Sequence, residues 1–475
     1  MRLRATEVDL FVTDCRTRLP FRFGITTLTA APLLTVRVRV ETDDGRRGEG
    51  AAADLLVPKW FAKNPDTTLR ADVESLLASV REAGETLLAA RRPASVFDRW
   101  WELYDDRVGV NAEPAGDTLV RGFGVALLER TLIDAACRLA GRSFFDAVRS
   151  DLLGFDPGRA WPELADWLPA QTLPATPPAS VAVRHTVGML DSLTAADLAA
   201  RDRVGDGLPE TLEEDIRVAG LDHFKIKIAG DRERDLDRLD AIGAVLEATV
   251  GDAARITLDG NEQYERCADL AALLESLAER PRGGYLLRHL LAIEQPLARG
   301  RTFERAPNAA LAAVAAFAPV LIDEADATLS SFPRAIALGY EGVSVKNCKG
   351  VFRALVNRGL CDVRRGRLFQ SAEDLTNLPV LALQQDLATV ATLGLPHVER
   401  NGHHYFRGLD HLPRTEAADA LKRHPDLYEQ DERGIALRIE AGRLSLASLH
   451  GAGYGYDLPI RFDERVPADA WTWPE

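Results

Sequence analysis

Two lysines in residues 224–228, Phe-Lys-Ile-Lys-Ile, have a spacing that suits acid–base chemistry. In an extended strand, residues two apart share a face, so Lys225 and Lys227 would point to one side and their apolar neighbours to the other. An apolar face suits packing against helices, whereas ammonium groups on the opposite face suit the inside of a barrel. The segment therefore predicts a barrel strand whose end carries two site lysines.

The same arrangement, a charged residue directly after an apolar run, recurs four times later in the chain. The charged residues are Asp259, Glu294, Asp323 and Lys346. Starting from Lys227, they follow one another at intervals of about 23 to 35 residues, which is the length of one strand, one helix and two loops. This interval predicts a β/α barrel, in which the carboxyl ends of the strands meet at one mouth.

Three carboxylates at one barrel mouth predict a metal site. Without a counter-ion, Asp259, Glu294 and Asp323 would repel one another and could not all remain ionised at low cost. Oxygen ligands completed by water suit Mg²⁺, or Mn²⁺, whereas Zn²⁺ prefers nitrogen and sulfur. A buried lysine beside such a cation has a lowered pKa and could act as a base. Together these groups favour removal of a proton next to a carboxylate, because a metal would stabilise the resulting enediolate.

Length, composition and charge restrict the class of protein. The 475 residues can hold a barrel and a smaller unit, and 46% hydrophobic with 27% charged residues is typical of soluble domains. A net charge of −14 without a long basic run argues against nucleic acid or a membrane surface as partner. The five cysteines show no CxxC spacing, and neither a signal peptide nor a membrane span is evident. We therefore expect a cytoplasmic protein.

The remaining sequence predicts a second domain joined to the barrel. The N-terminal region alternates like antiparallel strands before it turns helical, and prolines become dense after residue 155. The last strand-like segment lies near the C-terminus, and we expect the tail after it to return to the N-terminal unit. The predicted divisions are a capping α+β domain at 1–155, a proline-rich junction at 156–180, a β/α barrel at 181–440 and a returning tail at 441–475.

Several local predictions accompany this division. Residues 303–318 predict a crossover helix, and residues 142–154 predict a helix that closes the capping domain. Residues 20–27 predict a loop that either packs on the protein or covers a ligand. Glu129 and Asp134, on a predicted helix, are interpreted as surface or interface charges.

The motifs at the strand ends resemble those of the enolase superfamily, on its mandelate racemase and muconate-lactonizing side. The resemblance covers nearly the whole chain. Its motifs are Phe-Lys-Ile-Lys-Ile at 224–228, Leu-Asp-Gly-Asn at 258–261, Ile-Glu-Gln-Pro at 293–296, Ile-Asp-Glu at 322–324 and Val-Lys at 345–346. The resemblance implies an α/β fold: a modified TIM barrel of the (β/α)7β type, with a capping domain completed by the C-terminal tail.

The resemblance also implies roles for individual residues. Asp259, Glu294 and Asp323 would hold Mg²⁺, while Glu324 would point away from the mouth. Lys227 and Lys346 would form an acid/base pair on opposite faces of a small carboxylate substrate, and Lys225 would hold its carboxylate. We expect the substrate-contacting residues to be Phe21, Arg22, Phe23, Asn261 and Glu373. A homo-oligomer is also expected, because many relatives assemble into even-numbered oligomers.

Two features limit how far the resemblance identifies a reaction. The lysine pair is similar to that of muconate cycloisomerases, o-succinylbenzoate synthases, N-acylamino acid racemases and dipeptide epimerases. Residues 367–374 contain no histidine, which disfavours the mandelate racemase pattern, and residues 346–350 lack the Lys-Pro and paired glycines of the lactonizing subgroup. Lys349, His403 and His404 are left outside the catalytic set, and His185 is interpreted as a structural hydrogen-bonding residue.

Three alternatives remain open at this point. Within the superfamily, the same residues fit racemisation or epimerisation, cycloisomerisation, and elimination such as acid-sugar dehydration. In a different class, Lys225, Lys227 or Lys346 could be the nucleophile of a Schiff-base aldolase, although the three acids would then be unexplained. A barrel without activity, serving as a binding protein, is the third alternative.

Overall fold

The computed structural model describes residues 1–23, 26–198, 203–364 and 366–473, which form a capping domain and a barrel. The capping domain begins with three antiparallel strands, paired in the order β1-β2-β3. Helices follow, and three of them begin at Thr68, Ser95 or Ser143, whose hydroxyl accepts a backbone N–H of the first turn. The elements are β1 (Leu3–Phe23), β2 (Thr26–Thr42), β3 (Arg47–Leu55), α1 (Leu69–Ala89), α2 (Val96–Arg107), α3 (Thr118–Ala140), α4 (Phe144–Arg149) and α5 (Pro169–Thr172).

Helix α3 lies directly on strand β3, and a glycine makes the close approach possible. A Cβ atom added at Gly50 would lie 2.1 Å from the carbonyl oxygen of Thr131. Only a residue without a side chain therefore allows the helix and the strand to meet at this distance. This contact holds the helical layer of the capping domain against its sheet.

Eight parallel strands close into a barrel after the proline-rich segment. Each strand pairs with the next, and the eighth pairs with the first, Val398 lying opposite Val183. The predicted fold, a β/α barrel with an α+β capping domain, is confirmed. The strands are β4 (Ser180–Val187), β5 (His223–Lys227), β6 (Arg255–Asp259), β7 (Leu290–Glu294), β8 (Val320–Ile322), β9 (Gly342–Val345), β10 (Phe369–Ala372) and β11 (His397–Arg400).

Helices connect successive barrel strands in all seven crossovers. On β5, Phe224 and Ile226 are fully buried towards this helical layer, as the alternation with Lys225 and Lys227 predicts. The crossover helices are α6 (Leu212–Ala219), α7 (Arg232–Thr249), α8 (Cys267–Ala278), α9 (Gly283–Arg288), α10 (Leu311–Ala315), α11 (Ser331–Leu338), α12 (Val351–Val363) and α13 (Leu381–Leu393). No helix in the described ranges combines the length and apolar character needed to cross a membrane.

The chain beyond the barrel contacts both domains. Strand β14 pairs antiparallel with barrel strand β4, and β15 pairs with β1, where Pro467 lies opposite Phe11. The C-terminal residues thus first extend the barrel sheet and then add a strand to the capping sheet. The elements are α14 (Gly402–Tyr405), α15 (Arg414–Arg423), β12 (Tyr428–Asp431), β13 (Gly434–Leu437), β14 (Arg443–Ser445) and β15 (Val466–Pro467).

Three local predictions are wrong in extent or type. The helix predicted at 303–318 is limited to α10, because Pro307 has no N–H to donate and restricts the residue before it. The helix predicted at 142–154 is limited to α4. Most of the loop predicted at 20–27 is strand instead, since Phe21 and Arg22 of β1 pair with Leu28 and Thr27 of β2.

Glu129 and Asp134 are not surface charges, because both side chains are fully buried. Oε1 of Glu129 accepts a hydrogen bond of 2.5 Å from the backbone N–H of Phe352, in the first turn of barrel helix α12. Asp134 accepts hydrogen bonds from the N–H of Ala51 and the hydroxyl of Tyr456. The apolar periodicity of a helix does not show whether a charged residue is exposed or buried when the helix is covered on nearly every side. Helix α3 is such a case, because the sheet, the barrel and the C-terminal tail surround it.

Burial of Glu129 predicts a pH-dependent stability. Burial raises the pKa of this carboxyl from its usual value of 4.5 to about 8, despite the Phe352 N–H and nearby Arg130. Between those values the folded protein holds a proton that the unfolded chain releases, so stability should fall as pH rises through this range. Glu129→Gln should remove the contribution of this carboxyl to the slope and raise the free energy of unfolding by about 1–3 kcal/mol near pH 8.

Urea unfolding of both proteins at pH values between about 5 and 8 would measure this difference. Glu275→Gln, at an exposed position of α8, is the matched control and should leave the slope unchanged. A Glu129→Gln variant that is less stable than the parent at every pH would contradict the prediction.

Candidate active site

Strand register places three of the predicted site residues in one row at the barrel mouth. Lys227 on β5 lies opposite Asp259 on β6, and Asp259 lies opposite Glu294 on β7. Nζ of Lys227 donates a hydrogen bond of 2.5 Å to Oδ2 of Asp259. Burial alone would raise the pKa of Asp259, but Lys225 and Lys227 outweigh it and lower that pKa. Asp259 therefore remains a carboxylate.

Lys225 lies deeper in the barrel, at the centre of four carboxylates. Its Nζ is 3.1 Å from Asp259, 2.8 Å from Glu294, 2.7 Å from Glu373 and 2.9 Å from Glu399. Burial of this fully enclosed amine would lower its pKa, but the four carboxylates outweigh burial and raise the pKa well above its usual value. Lys225 therefore stays protonated in this arrangement and cannot act as a base.

Asp323 and Lys346 form the opposite side of the mouth. Nζ of Lys346 lies 2.8 Å from Oδ2 of Asp323, and Nζ of Lys349 lies 3.2 Å from its Oδ1. The two lysines outweigh burial and lower the pKa of Asp323, while Asp323 in turn raises the pKa of Lys346. The backbone N–H of Asp323 donates to Oε1 of Gln295, which fixes the strand end after β8.

A small pocket lies between the barrel mouth and the capping domain. Lys227 and Lys346 both line it, and the capping domain covers it with apolar side chains that include Trp60. Nζ of Lys346 is 4.7 Å from the centre of the Trp60 ring, a cation–π distance. The cavity has a volume of about 30 Å³, and its remaining walls are Phe21, Val57, Asn261, Asp374, Leu375, Thr376, Glu399 and Asn401.

The covering hairpin of β1 and β2 is tied to the barrel loops. Arg18 pairs with Asp206 at 2.7 Å and donates a hydrogen bond to the carbonyl oxygen of His404. Phe21 stacks on Tyr405 of α14 with ring centres 4.3 Å apart. The capping residues therefore cover part of the pocket in this conformation, and its volume of about 30 Å³ is small for a substrate.

The donor set at the mouth fits a hard divalent cation. Asp259, Glu294 and Asp323 offer only carboxylate oxygens, which are the ligands that Mg²⁺ prefers. Burial, together with Asp259 and Glu373, raises the pKa of Glu294 well above its usual value, so Lys225 alone does not offset the negative charge at this carboxyl. A cation beside Glu294 would relieve that repulsion. Because the ammonium group of Lys225 now contacts Asp259 and Glu294, it would have to move away from both to make room for the cation.

The predicted substrate-contacting residues divide into three groups. Phe21 and Asn261 line the pocket. Arg22 instead donates to the hydroxyl of Thr27 within the hairpin, and the side chain of Phe23 lies outside the described residues. Glu373 does not line the pocket but lies below it, where Arg184, Ser371 and Lys225 donate to its two oxygens.

Glu324 does not point away from the mouth as predicted. Its Oε1 lies 3.5 Å from the side-chain amide of Asn261, which lines the pocket. Strand β8 ends at Ile322, so the alternation of a strand no longer applies at position 324. Burial and the neighbouring Asp323 raise the pKa of Glu324 to about 7, which makes it a further carboxyl close to the site.

Seven of the pocket residues were missed by sequence reasoning, and two of them, Glu399 and Trp60, contact site lysines. Glu399 is the next-to-last residue of β11, follows an apolar residue and accepts hydrogen bonds from Thr186 and Lys225. A search for charged residues near strand ends, as used for Asp259, could have found it. Trp60 follows β3 in an irregular segment of the capping domain. No spacing rule links that segment to the barrel, so the sequence carries no signal for it.

Comparison with known proteins places this architecture among solved structures. No protein-family model matches the sequence, and no curated protein matches it. The fold is similar to that of an enolase from Bradyrhizobium complexed with magnesium and mandelic acid, with 17% identity and a TM-score of 0.59; the match covers 98% of this chain and 97% of that one.

Two further structures have the same architecture. A dipeptide epimerase from Enterococcus faecalis, complexed with Mg and L-Leu-L-Tyr, shares 15% identity with a TM-score of 0.56, over 95% of this chain and 99% of the other. A muconate lactonizing enzyme from Pseudomonas fluorescens, complexed with muconolactone, shares 15% identity with a TM-score of 0.59, over 96% and 97% of the two chains. This chain therefore has the two-domain fold of the enolase superfamily.

Proposed function

We propose that the protein is a Mg²⁺-dependent enzyme that removes the proton next to the carboxylate of a small substrate. The observation that carries the proposal is the pocket itself. Lys227 and Lys346 lie at the ends of different strands and line one cavity. Each also contacts a carboxylate of the predicted metal site, Asp259 or Asp323. A general base must lie within reach of the proton it removes, and a shared cavity meets that requirement for both amines.

Lys227 and Lys346 divide the proton transfer between them. An amine that takes the proton from one face of the substrate leaves the second amine to return a proton, which gives racemisation or epimerisation. If a leaving group or an internal nucleophile is present, one amine suffices, and elimination or cycloisomerisation results. The same residues therefore serve each of these outcomes, and the substrate decides among them.

Asp259, Glu294 and Asp323 would hold the metal. Mg²⁺ bound there would supply a Lewis acid that stabilises negative charge on the substrate carboxylate. Lys225 neutralises the carboxylates below the pocket and holds Glu373 and Glu399 in place. The apolar cover excludes water, which strengthens the electrostatic interactions beneath it.

The lining of the pocket favours a partly apolar carboxylate substrate. Phe21, Val57, Trp60 and Leu375 supply apolar surface, whereas Thr376 and Asn401 supply hydrogen-bonding groups. Mandelic acid and L-Leu-L-Tyr, the ligands of two structurally similar proteins, combine a carboxylate with an apolar group. A polyhydroxylated sugar acid would leave hydroxyl groups unpaired against the aromatic cover, so acid-sugar dehydration is the weaker alternative.

The carboxylates at the barrel mouth oppose a Schiff-base aldolase. A lysine nucleophile needs no metal, so Asp259, Glu294 and Asp323 would have no role in that reaction. Lys225 is moreover surrounded by four carboxylates that outweigh burial and raise its pKa, which keeps this amine charged. Treatment with borohydride in the presence of carbonyl substrates should therefore leave the mass of the protein unchanged.

Solvent deuterium exchange tests the proposal. The protein is incubated in D₂O with Mg²⁺ and pools of N-acyl amino acids, dipeptides and sugar acids, and mass spectrometry follows each compound. A gain of one deuterium without net conversion indicates racemisation or epimerisation, and loss of water or a new isomer indicates elimination or cycloisomerisation. An exchange that survives removal of Mg²⁺ by a chelator, or no exchange with carboxylates that are shown to bind, would overturn the proposal.

A further inference from the structure

A second cluster of metal-binding side chains lies outside the barrel mouth. On β4, Arg184 and Thr186 contact Glu373 and Glu399 inside the barrel. His185 lies between them and therefore faces the opposite side, towards the helices. There it meets Asp215 of α6 and His403 of α14.

The three side chains are close enough to share one cation. One ligand atom from each lies within 4.8 Å of the others. Nδ1 of His185 is 3.2 Å from Nε2 of His403, a hydrogen-bond distance, whereas Asp215 approaches the other nitrogen of His185, with its Oδ2 3.9 Å from Nε2. Two nitrogens bound tetrahedrally to Zn²⁺ at about 2.0–2.1 Å lie roughly 3.3 Å apart, so the imidazole pair already has this spacing.

The cluster also has unused bonding capacity. Nδ1 of His403 is buried and has no hydrogen-bond partner. Asp215 is 3% exposed, and its ion pairs with described residues are with His404, at 2.9 Å, and His185. Among the described residues, the ion-pair partners of this carboxylate are therefore imidazoles, with no lysine or arginine to offset its charge.

The protonation states favour metal binding. Burial lowers the pKa of His185, and burial together with His185 lowers the pKa of His403 to about 3, so both imidazoles are neutral at neutral pH. Burial alone would raise the pKa of Asp215, but the charge of His404 outweighs burial and lowers that pKa, so Asp215 is ionised. Neutral imidazole and carboxylate are the forms that bind divalent metals.

We propose that His185, Asp215 and His403 bind a divalent transition-metal ion of the Zn²⁺ class, separate from the carboxylate site in the barrel. Two imidazoles and one carboxylate match the three protein ligands of sites that keep one position open. A cleft of about 160 Å³, lined by Asp215, His403, Leu378 and Phe406, gives the ion a route from solvent. His404 is the positioning residue, because it holds the Asp215 carboxylate.

The site would join three separate elements of the barrel domain. β4 supplies His185, α6 supplies Asp215 and α14 supplies His403. Helix α14 also carries Tyr405, on which Phe21 of the pocket cover stacks. A bound ion would therefore hold α14 against the barrel wall. It would also stabilise the contact between Phe21 and Tyr405 that attaches the covering hairpin to α14.

Cobalt is the probe for this site, because Co²⁺ replaces Zn²⁺ and its visible absorption reports nitrogen ligation. The full-length protein is first saturated with Mg²⁺, so that the barrel carboxylates are occupied, and then titrated with Co²⁺. We expect one equivalent to bind with visible absorption in the parent, and binding to be lost in His185→Asn and His403→Asn. His404→Asn should weaken Co²⁺ affinity on the order of 10- to 100-fold.

Two control variants separate this site from others. His223→Asn is the matched control, because His223 also adjoins a histidine, His397, and an aspartate, Asp222, and it should leave Co²⁺ binding unchanged. Asp259→Asn removes a barrel carboxylate and should also leave it unchanged. Circular dichroism of the metal-free variants establishes that each one is folded.

Three results would overturn the proposal. They are no Mg²⁺-resistant Co²⁺ binding by the parent, binding that persists in folded His185→Asn or His403→Asn, and binding that disappears in Asp259→Asn. If a histidine variant does not fold, the parent protein alone still tests the proposal. The Co²⁺ that it binds in the presence of saturating Mg²⁺ must show a visible spectrum typical of nitrogen ligands, and a spectrum without them would overturn the proposal.

Discussion

Lys227→Met and Lys346→Met should each reduce substrate turnover by about 10²- to 10⁴-fold, the usual contribution of a general acid or base. Methionine keeps the length of the buried side chain but cannot carry a proton. In Lys346→Met the cation–π contact between Nζ and the Trp60 ring is lost as well. The measurement is deuterium incorporation and net conversion with a substrate found by the exchange experiment.

The two variants should differ in a way that a general loss of structure would not reproduce. In a racemisation or epimerisation, each variant should still exchange the proton of one stereoisomer while losing exchange with the other, because the remaining amine faces one side of the substrate. Lys422→Met, at an exposed position of α15, is the control and should retain both activities. Equal exchange of both stereoisomers by either site variant would contradict the assignment of the two lysines.

Lys225→Met should be the most destabilising single change at the site. It removes the cation that contacts Asp259, Glu294, Glu373 and Glu399, and leaves buried carboxylates facing one another. Breaking a buried ion pair costs about 3–5 kcal/mol, and four partners place this variant at the upper end of that range. Urea unfolding in the presence of a chelator measures the loss.

Magnesium should restore part of the stability of Lys225→Met. A divalent cation at Asp259 and Glu294 would replace the missing positive charge, and ligand binding to the folded state raises its stability by mass action. Lys59→Met is the matched control, because Lys59 is also buried and paired with one acid, Asp72, but lies in the capping domain. It should lose stability without a Mg²⁺-dependent recovery, and the same recovery in both variants would argue against a metal site at the barrel carboxylates.

Much of the fold follows from local sequence periodicity. Alternation on β5 and the interval between charged strand ends are properties of neighbouring residues, and they sufficed to predict the barrel. The structure brings Lys225, Lys227, Asp259 and Glu294 together for the same reason, because parallel strands in register place their ends in one row. The error at 303–318 arose where Pro307 locally overrides an apolar pattern that is otherwise helical.

Other features depend on contacts between distant parts of the chain. Glu129 has the pattern of a surface charge on an amphipathic helix, yet it is buried because barrel helix α12 donates its first-turn N–H to it. Arg22 and Phe21 are neighbours in the sequence, but only Phe21 lines the pocket, since adjacent residues of a strand face opposite sides. Trp60 comes from the capping domain to cover Lys346, and nothing in either segment encodes that distance.

The sequence by itself determined the barrel, the capping unit and the charged residues at the barrel mouth, because each depends on spacing along one strand or one repeat. Tertiary structure alone decided which of those residues line the pocket, how four carboxylates share Lys225, and that His185 meets Asp215 and His403. These contacts join residues that are far apart in the chain, such as His185 and His403, which are separated by 218 residues. Long-range packing, which brings chain segments together without a local signal, is what the sequence pattern could not supply.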